Sequence, residues 1–562
     1  MHDTGPGAGE ALVLHGVPVH VRHGRPPAEA VGIFDGRVAA AGTLAEVRAA
    51  LPPLAVVRRL AHGAVMPAFV DPHQHAYLVA ADPHTDALHR RVRDIPSLVD
   101  LLTTLVGTGP APDTAGAGEG WLRFHGYEPF TLAERRSPTA AELDRAAGDR
   151  PLHVLSRTYH ESSVSSAGLD ALGIGRDTPD PPGGRIVRDR RGLATGVLLE
   201  AASFVAEAVS RSRGADAPGA WRERLVAHGQ RLLANGIVRI GDGAVPVTAA
   251  ESFVGTLAQI GVVATPLLIG ERIDEPAIVA GATAKVLLDG GEYCHLCMTG
   301  GQVRSLMVAS VRANLGPERE MARAVGTRAG WPHREPDGRW HTGIRYPQEA
   351  GFPAVLRRAA DAGASLAVHA VGNGSVEALL DAREADPGAA GAVTLRIEHA
   401  IALGDGLARR IGGTGLPVVV QPGFLTTAGH ELAIVPLPRP LRLMPFRMMR
   451  EAGIPLAFSS DYPATPLSPW EIVSAAVTRL DATGAAILPD QAVDLGDALD
   501  ASTRVAAQVL DTDGGGTLEP GMPADLIWCD RDPYAMPAAS LADIAVLETW
   551  SGGRRVYART EA

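Results

Sequence analysis

The middle of the chain alternates short apolar runs with amphipathic stretches. Eight runs read as strands: VMPAFVD (65–71), GIVRIGD (236–242), VVATPLLIG (262–270), AKVLLDG (284–290), SLAVHA (365–370), TLRIEHA (394–400), PVVVQP (417–422) and IPLAFSSD (454–461). They are apolar along most of their length rather than alternating, as in parallel strands covered on both faces. Helical stretches separate most of them. Trp221–Asn235 and Pro353–Gly363 are examples, the second ending on a glycine suited to a C-cap. Eight strands with helices between them predict an α/β fold, a TIM-like (β/α)8 barrel, over residues 65–510.

The two ends have a different pattern. ALVLHG, VPVHVR and AVGIFDGRVAAAG near the start, and TLEPGMPADLIWCD and AVLETWSGGRRVYAR near the finish, are short β-type runs broken by glycine. Asp35-Gly36 is a hairpin turn signal. Residues 1–64 and 511–562 are therefore expected to meet in one small β-sandwich domain. The spacing of the barrel strands leaves room for two insertions. A large one, at about 76–235, follows the first strand and contains the strand-like WLRFHGYE and PLHVLSR; residues 108–119 (TGPAPDTAGAGE) read as a flexible loop within it. The other spans about 291–347.

Composition adds bounds. The chain has 562 residues, enough for a large barrel and a small domain. The formal charge is −11, which gives no electrostatic reason to expect nucleic acid or an anionic membrane as partner. Abundant Gly, Ala and Pro suggest a GC-rich bacterial source. Three cysteines, Cys294, Cys297 and Cys529, do not make a disulfide framework. With no basic-then-apolar leader and no apolar run near the ~20 residues needed to span a bilayer, the expectation is a cytoplasmic protein. The expected partner is a small-molecule substrate, and a homodimer is compatible with the sequence.

Candidate chemistry lies at strand ends. His73 and His75 follow VMPAFVD as an HxH pair, and residues i and i+2 of a strand point the same way. Two imidazoles at that spacing can bind one metal ion, although an isolated HxH is as well explained by two loop histidines. His369 ends SLAVHA, His399 ends TLRIEHA, Asp461 ends LAFSSD, and Lys285 lies in AKVLLDG. Ionisable groups in apolar strands are costly unless paired or metal-bound. In such a barrel the C-terminal strand ends form the mouth of the active site. Four histidines and one aspartate suffice for one or two divalent ions, most simply zinc. Water activated there attacks a carbonyl or amidine carbon, and Asp461 is placed to take its proton and pass it on. Lys285, a donor only as an ammonium, becomes a bridging ligand if carbon dioxide carboxylates it.

These motifs carry a resemblance. The chain resembles the amidohydrolase superfamily over nearly its whole length, and within it the YtcJ-like branch that includes N-substituted formamide deformylases. PAFVDPHQH is similar to the first-strand motif, AKVLLDG to the lysine strand, LAVHAVGN and LRIEHA to the fifth- and sixth-strand histidine motifs, and LAFSSDYP to the eighth-strand aspartate motif. RTYHESSVSSAGLDALGI resembles the insertion segment of the branch, and GTLEPGMPADLIWCD the closing signature. The resemblance implies that His73, His75 and Asp461 hold the more buried metal, that His369 and His399 hold a second, and that carboxylated Lys285 bridges them. Three features depart from the pattern. Asp71-Pro72 precedes His73 where a serine or threonine often stands. Asn373 replaces a common aspartate, which weakens an expected partner of His369. Cys294-His295-Leu296-Cys297 follows the lysine strand, a CxxC with no second CxxC; these residues are read as pocket-lining or packing, with a metal contact as the alternative.

Substrate contacts are sought in the insertions. His160 matches the insertion histidine of the branch. Tyr127, His295 and Arg345 are further substrate-binding candidates, and Glu292, Arg304, Trp331 and His333 lie where specificity is shaped. The reading is hydrolysis of a C–N bond in an amide, formamide or cyclic amide. Two alternatives stay open: a deaminase acting on an amino-substituted ring, for which Glu377 stands too far along its helix to match the usual proton shuttle, and a catalytically inactive binding protein.

Overall fold

A computed structural model of the chain describes residues 11–22, 24–82, 88, 92–108, 120–212, 219–510 and 514–560. The eight apolar runs form eight parallel strands in one nearly closed sheet: β1 (Phe69–Gln74), β2 (Ile237–Pro246), β3 (Val263–Ile269), β4 (Thr283–Leu287), β5 (Ser365–Ala370), β6 (Leu395–His399), β7 (Val418–Val420) and β8 (Leu456–Phe458). Neighbours in the sheet follow chain order from β1 to β8. Beyond β8 the Asp461 amide donates to the His73 carbonyl at 2.8 Å, drawing the ends of β8 and β1 together. Buried Val, Ile, Leu and Phe from strands and helices make one large core, as expected for a sheet covered on both faces.

The helix before β5 begins earlier than the sequence pattern suggests. It spans Pro347–Ala362, with Pro347 in the first turn where its missing N–H costs nothing, and Pro353 is accommodated inside it. It ends as expected on Gly363, at φ 64°.

The chain ends do share a sheet. Ala64–Pro67 pairs with Leu526–Cys529 and joins strands from both termini in one eight-stranded sheet. The Asp35-Gly36 turn connects Ala28–Phe34 to Arg37–Gly42 with both φ values positive. The pairings describe a single sheet; a second one completing the expected sandwich is not among them.

Between β1 and β2, WLRFHGYE and PLHVLSR become the parallel pair Leu122–Tyr127 and Leu152–Ser156 in a five-stranded sheet. Of the loop expected at 108–119, Thr108 ends a helix, and the rest lies outside the described residues. Between β4 and β5 a small three-stranded sheet contains Leu296–Met298, Trp340–Thr342 and His333–Arg334. Among the described residues no helix is long and apolar enough to cross a membrane.

Candidate active site

The C-terminal ends of the barrel strands converge on one cavity of about 210 Å³, lined among others by His73, His75, Lys285, His369, His399 and Asp461. His73 is fully buried near the end of β1. Its Nδ1 lies 2.6 Å from Glu398 Oε2, which turns Nε2 toward the cavity, 3.5 Å from Asp461 Oδ1. His75 begins the helix Ala76–Ala81 and brings Nε2 to 3.1 Å from the same oxygen. One ligand atom from each of His73, His75 and Asp461 lies within 4.8 Å of the others. Buried His75 Nδ1 and His369 Nε2 have no hydrogen-bond partner among the described residues. Unpaired buried nitrogens beside a carboxylate are the mark of a site built for a cation, so the donor set fits a divalent metal.

The remaining residues close the far side. Lys285 Nζ is 3.2 Å from His73 Nε2. Burial lowers its ammonium to about 8, which enlarges the neutral amine fraction. His399 is held through Nδ1 by Gln421 at 2.8 Å, and its ring centroid lies 5.0 Å from that of His73 and 4.5 Å from that of His369. Burial lowers the His399 imidazolium to about 3 and that of His369 well below the usual range, so both rings are neutral. Burial alone would raise the Asp461 carboxyl, but His73 and His75 outweigh it and hold it below the usual carboxylate range. His399 and Asp461 have φ values of 79° and 50°. Left-handed backbone at a non-glycine residue is strained and is tolerated where a site requires it.

Supporting residues went unread in the sequence. Glu398 is fully buried between His73 and Arg396, whose Nε is 2.5 Å from Glu398 Oε1. Strand alternation would set Glu398 and His399 on opposite faces, but the turn in backbone at His399 ends that alternation. The only available signal was a carboxylate inside an apolar strand. Asp71, at the departure from the serine or threonine of the pattern, is a buried clamp: it accepts from Ser460 N at 3.0 Å and Ser460 Oγ at 2.5 Å, tying β1 to the β8 end. Asp242 accepts from Tyr77 N at 2.8 Å and fixes the helix that His75 begins. Gly243 leaves room for the pair; a Cβ there would stand 2.7 Å from the His75 ring and 2.9 Å from His73 Nε2. Gly243→Ala is therefore expected to displace both histidines, lowering activity by about 100-fold with little change in Tm. Unchanged kinetics would show that the pair does not need its present position.

A model of the amidohydrolase family matches residues 60–557, most of the chain. The chain belongs to the amidohydrolase family. It is 30% identical over 552 residues to an N-substituted formamide deformylase of Arthrobacter pascens, covering 95% of each chain. It is 25% identical to the putative amidohydrolase YtcJ of Bacillus subtilis, over 95% of this chain and 96% of that one. An uncharacterized metal-dependent hydrolase of Pyrococcus horikoshii shares its fold with a TM-score of 0.63 at 20% identity, over 94% and 99% of the two chains. The amidohydrolase is a hydrolase by family.

The other candidates separate by position. His160 lines the cavity of the amidohydrolase, its ring centroid 5.4 Å from that of His369. Its Nδ1 lies 2.6 Å from Glu200 Oε2, and Glu200 also accepts from Gly291 N at 3.1 Å and Tyr346 Oη at 3.0 Å. One buried carboxylate thus joins the two insertions over the mouth. Glu292 and Cys294 line the cavity, whereas Tyr127, His295, Arg304, Trp331, His333 and Arg345 do not. Tyr127 is buried and donates to Ser137 at 2.8 Å. His295 is buried against Glu349 and His341, and Arg345 pairs with Glu335. Asn373 does not reach for His369; it bonds the backbone of Cys297 through both side-chain atoms, at 3.2 and 2.8 Å.

Proposed function

We propose that this amidohydrolase cleaves a C–N bond of a small amide, formamide or cyclic amide with one or two divalent ions, zinc in the first instance. The observation that carries this reading is the approach of His73, His75 and Asp461 within 4.8 Å. His73, His75 and Asp461 would hold the first ion, and His369 and His399 the second, with carboxylated Lys285 between them. Metal bound there would lower the pKa of a water and polarise the substrate carbonyl. Asp461, kept ionised by its histidine neighbours, takes the water's proton at a carboxylate oxygen and returns it to the leaving nitrogen.

The two insertions supply substrate contacts. Tethering Nδ1 to Glu200 makes Nε2 the His160 nitrogen available to a substrate oxygen. Burial would lower the His160 pKa, but the charge and hydrogen bond of Glu200 prevail and raise it. The outer cavity, with Phe130, Ile273, Phe424, Leu432, Leu437 and Leu443, is apolar. That lining suits an uncharged organic substituent on the scissile nitrogen. Together with 30% identity to the N-substituted formamide deformylase, it favours N-substituted formamides as the first substrates to try. Glu377 is ion-paired to Arg339 at 2.7 Å and is not among the cavity-lining residues, which counts against the deaminase reading.

The reading is tested by assaying metal-loaded protein on N-substituted formamides, amides and cyclic amides. Formate or acid release is expected; ammonia release from amino-substituted rings with no amide turnover would replace hydrolysis by deamination. Glu200→Gln gives a separate check. Removing the carboxylate lowers the His160 pKa, so the alkaline limb of the kcat/KM pH profile is expected to move to lower pH. An unmoved limb would remove His160 from the substrate contacts.

A further inference from the structure

Outside the catalytic cavity, the 291–347 insertion gathers a second set of ligand-type side chains. In its three-stranded sheet Cys297 pairs directly with His341. Directly paired residues project on the same face. Cys297 Sγ lies 3.8 Å from His341 Nε2, and Asp337 Oδ2 lies 3.0 Å from the same nitrogen. One ligand atom from each of the three lies within 4.8 Å of the others. Cys297 and His341 are buried, while the Asp337 side chain is 46% exposed and leaves an approach from solvent.

Neighbouring side chains fix the orientation of the His341 ring. His341 Nδ1 is 2.8 Å from His295 Nε2, and His295 Nδ1 is 2.8 Å from Glu349 Oε2. With Nδ1 engaged by His295, Nε2 is the His341 ring nitrogen that faces the Asp337 carboxylate and the Cys297 sulfur. A hydrogen bond to the far ring nitrogen is the arrangement that orients a histidine toward a metal.

We infer that Cys297, Asp337 and His341 bind a thiophilic divalent ion, such as zinc, at a site separate from the catalytic one. Thiolate, imidazole and carboxylate with one solvent position make a tetrahedral set of the kind zinc takes. The ion clasps the roof of the active site. Cys297 is bonded through its backbone to Asn373, which begins the helix after β5. Tyr293, Cys294 and Leu296, immediately before it, line the catalytic cavity.

The test replaces the resident metals of the whole protein with cobalt(II) and reads the near-ultraviolet thiolate-to-cobalt charge-transfer band. The band is expected in the unaltered protein, in His73→Ala and in Cys294→Ser, and is lost in Cys297→Ser. Asp337→Asn, at a half-exposed position that does not endanger folding, is expected to weaken cobalt binding at this site by at least about tenfold. Survival of the band in His73→Ala separates this site from the catalytic one. Absence of the band in the unaltered protein would overturn the assignment. A band that follows Cys294 instead, or cobalt affinity unchanged in Asp337→Asn, would equally overturn the assignment.

Discussion

Asp461→Asn is expected to keep its metal and lose turnover, with kcat falling roughly 10²–10⁴-fold. The amide has nearly the shape of the carboxylate and leaves a carbonyl oxygen beside His73 and His75, now 3.5 and 3.1 Å from Asp461 Oδ1. What it lacks is a basic oxygen able to take a proton at neutral pH. KM should change much less than kcat, because a group that acts on the reacting proton contributes mainly in the transition state. Metal analysis beside steady-state kinetics separates the outcomes. A variant that retains full metal and full kcat would remove Asp461 from proton transfer.

His73→Ala is expected to lose both metal and activity, and Glu398→Gln to lose about 10–100-fold in metal affinity while keeping the ligands themselves. The two effects share a cause. Glu398 holds His73 Nδ1 at 2.6 Å and is itself held by Arg396. Burial would raise the Glu398 carboxyl, but Arg396 first and His73 next oppose it and hold it low. Removing the imidazole leaves a buried carboxylate with Arg396 and one fewer partner, and some loss of Tm should accompany the loss of metal. Titration of chelator-treated protein with zinc gives the affinities. Equal zinc affinity in Glu398→Gln and the unaltered protein would show that the carboxylate does not orient His73.

Much of the barrel was legible because its strands are apolar on both faces, and that pattern is independent of what surrounds them. Each of the eight runs became a strand in chain order. Strand-end residues were legible for the same reason: an ionisable group stands out in an apolar run. The buried partners were harder to read. Glu398 stood beside His399, yet it serves His73 from another strand, 325 positions away in the chain. Gln421, which positions His399, and Gly243, which leaves space for the histidine pair, carry no local pattern that separates them from ordinary strand-end residues.

The insertions show the opposite limit. The sequence named both His160 and Arg345 as substrate-binding candidates, but of the two only His160 lines the cavity. Loops follow no period, and their approach to the barrel depends on contacts such as Glu200 with Gly291 and Tyr346. The sequence by itself determined the barrel, the joining of the two termini in one sheet and the six residues at the strand ends, because hydrophobic periodicity is a local property. Only the tertiary structure decided which nitrogen of His73 faces the cavity, which carboxylate supports it and which insertion residues reach the substrate space. Those depend on groups brought together from distant parts of the chain, where hydrogen bonding and the cost of burying charge select the partners.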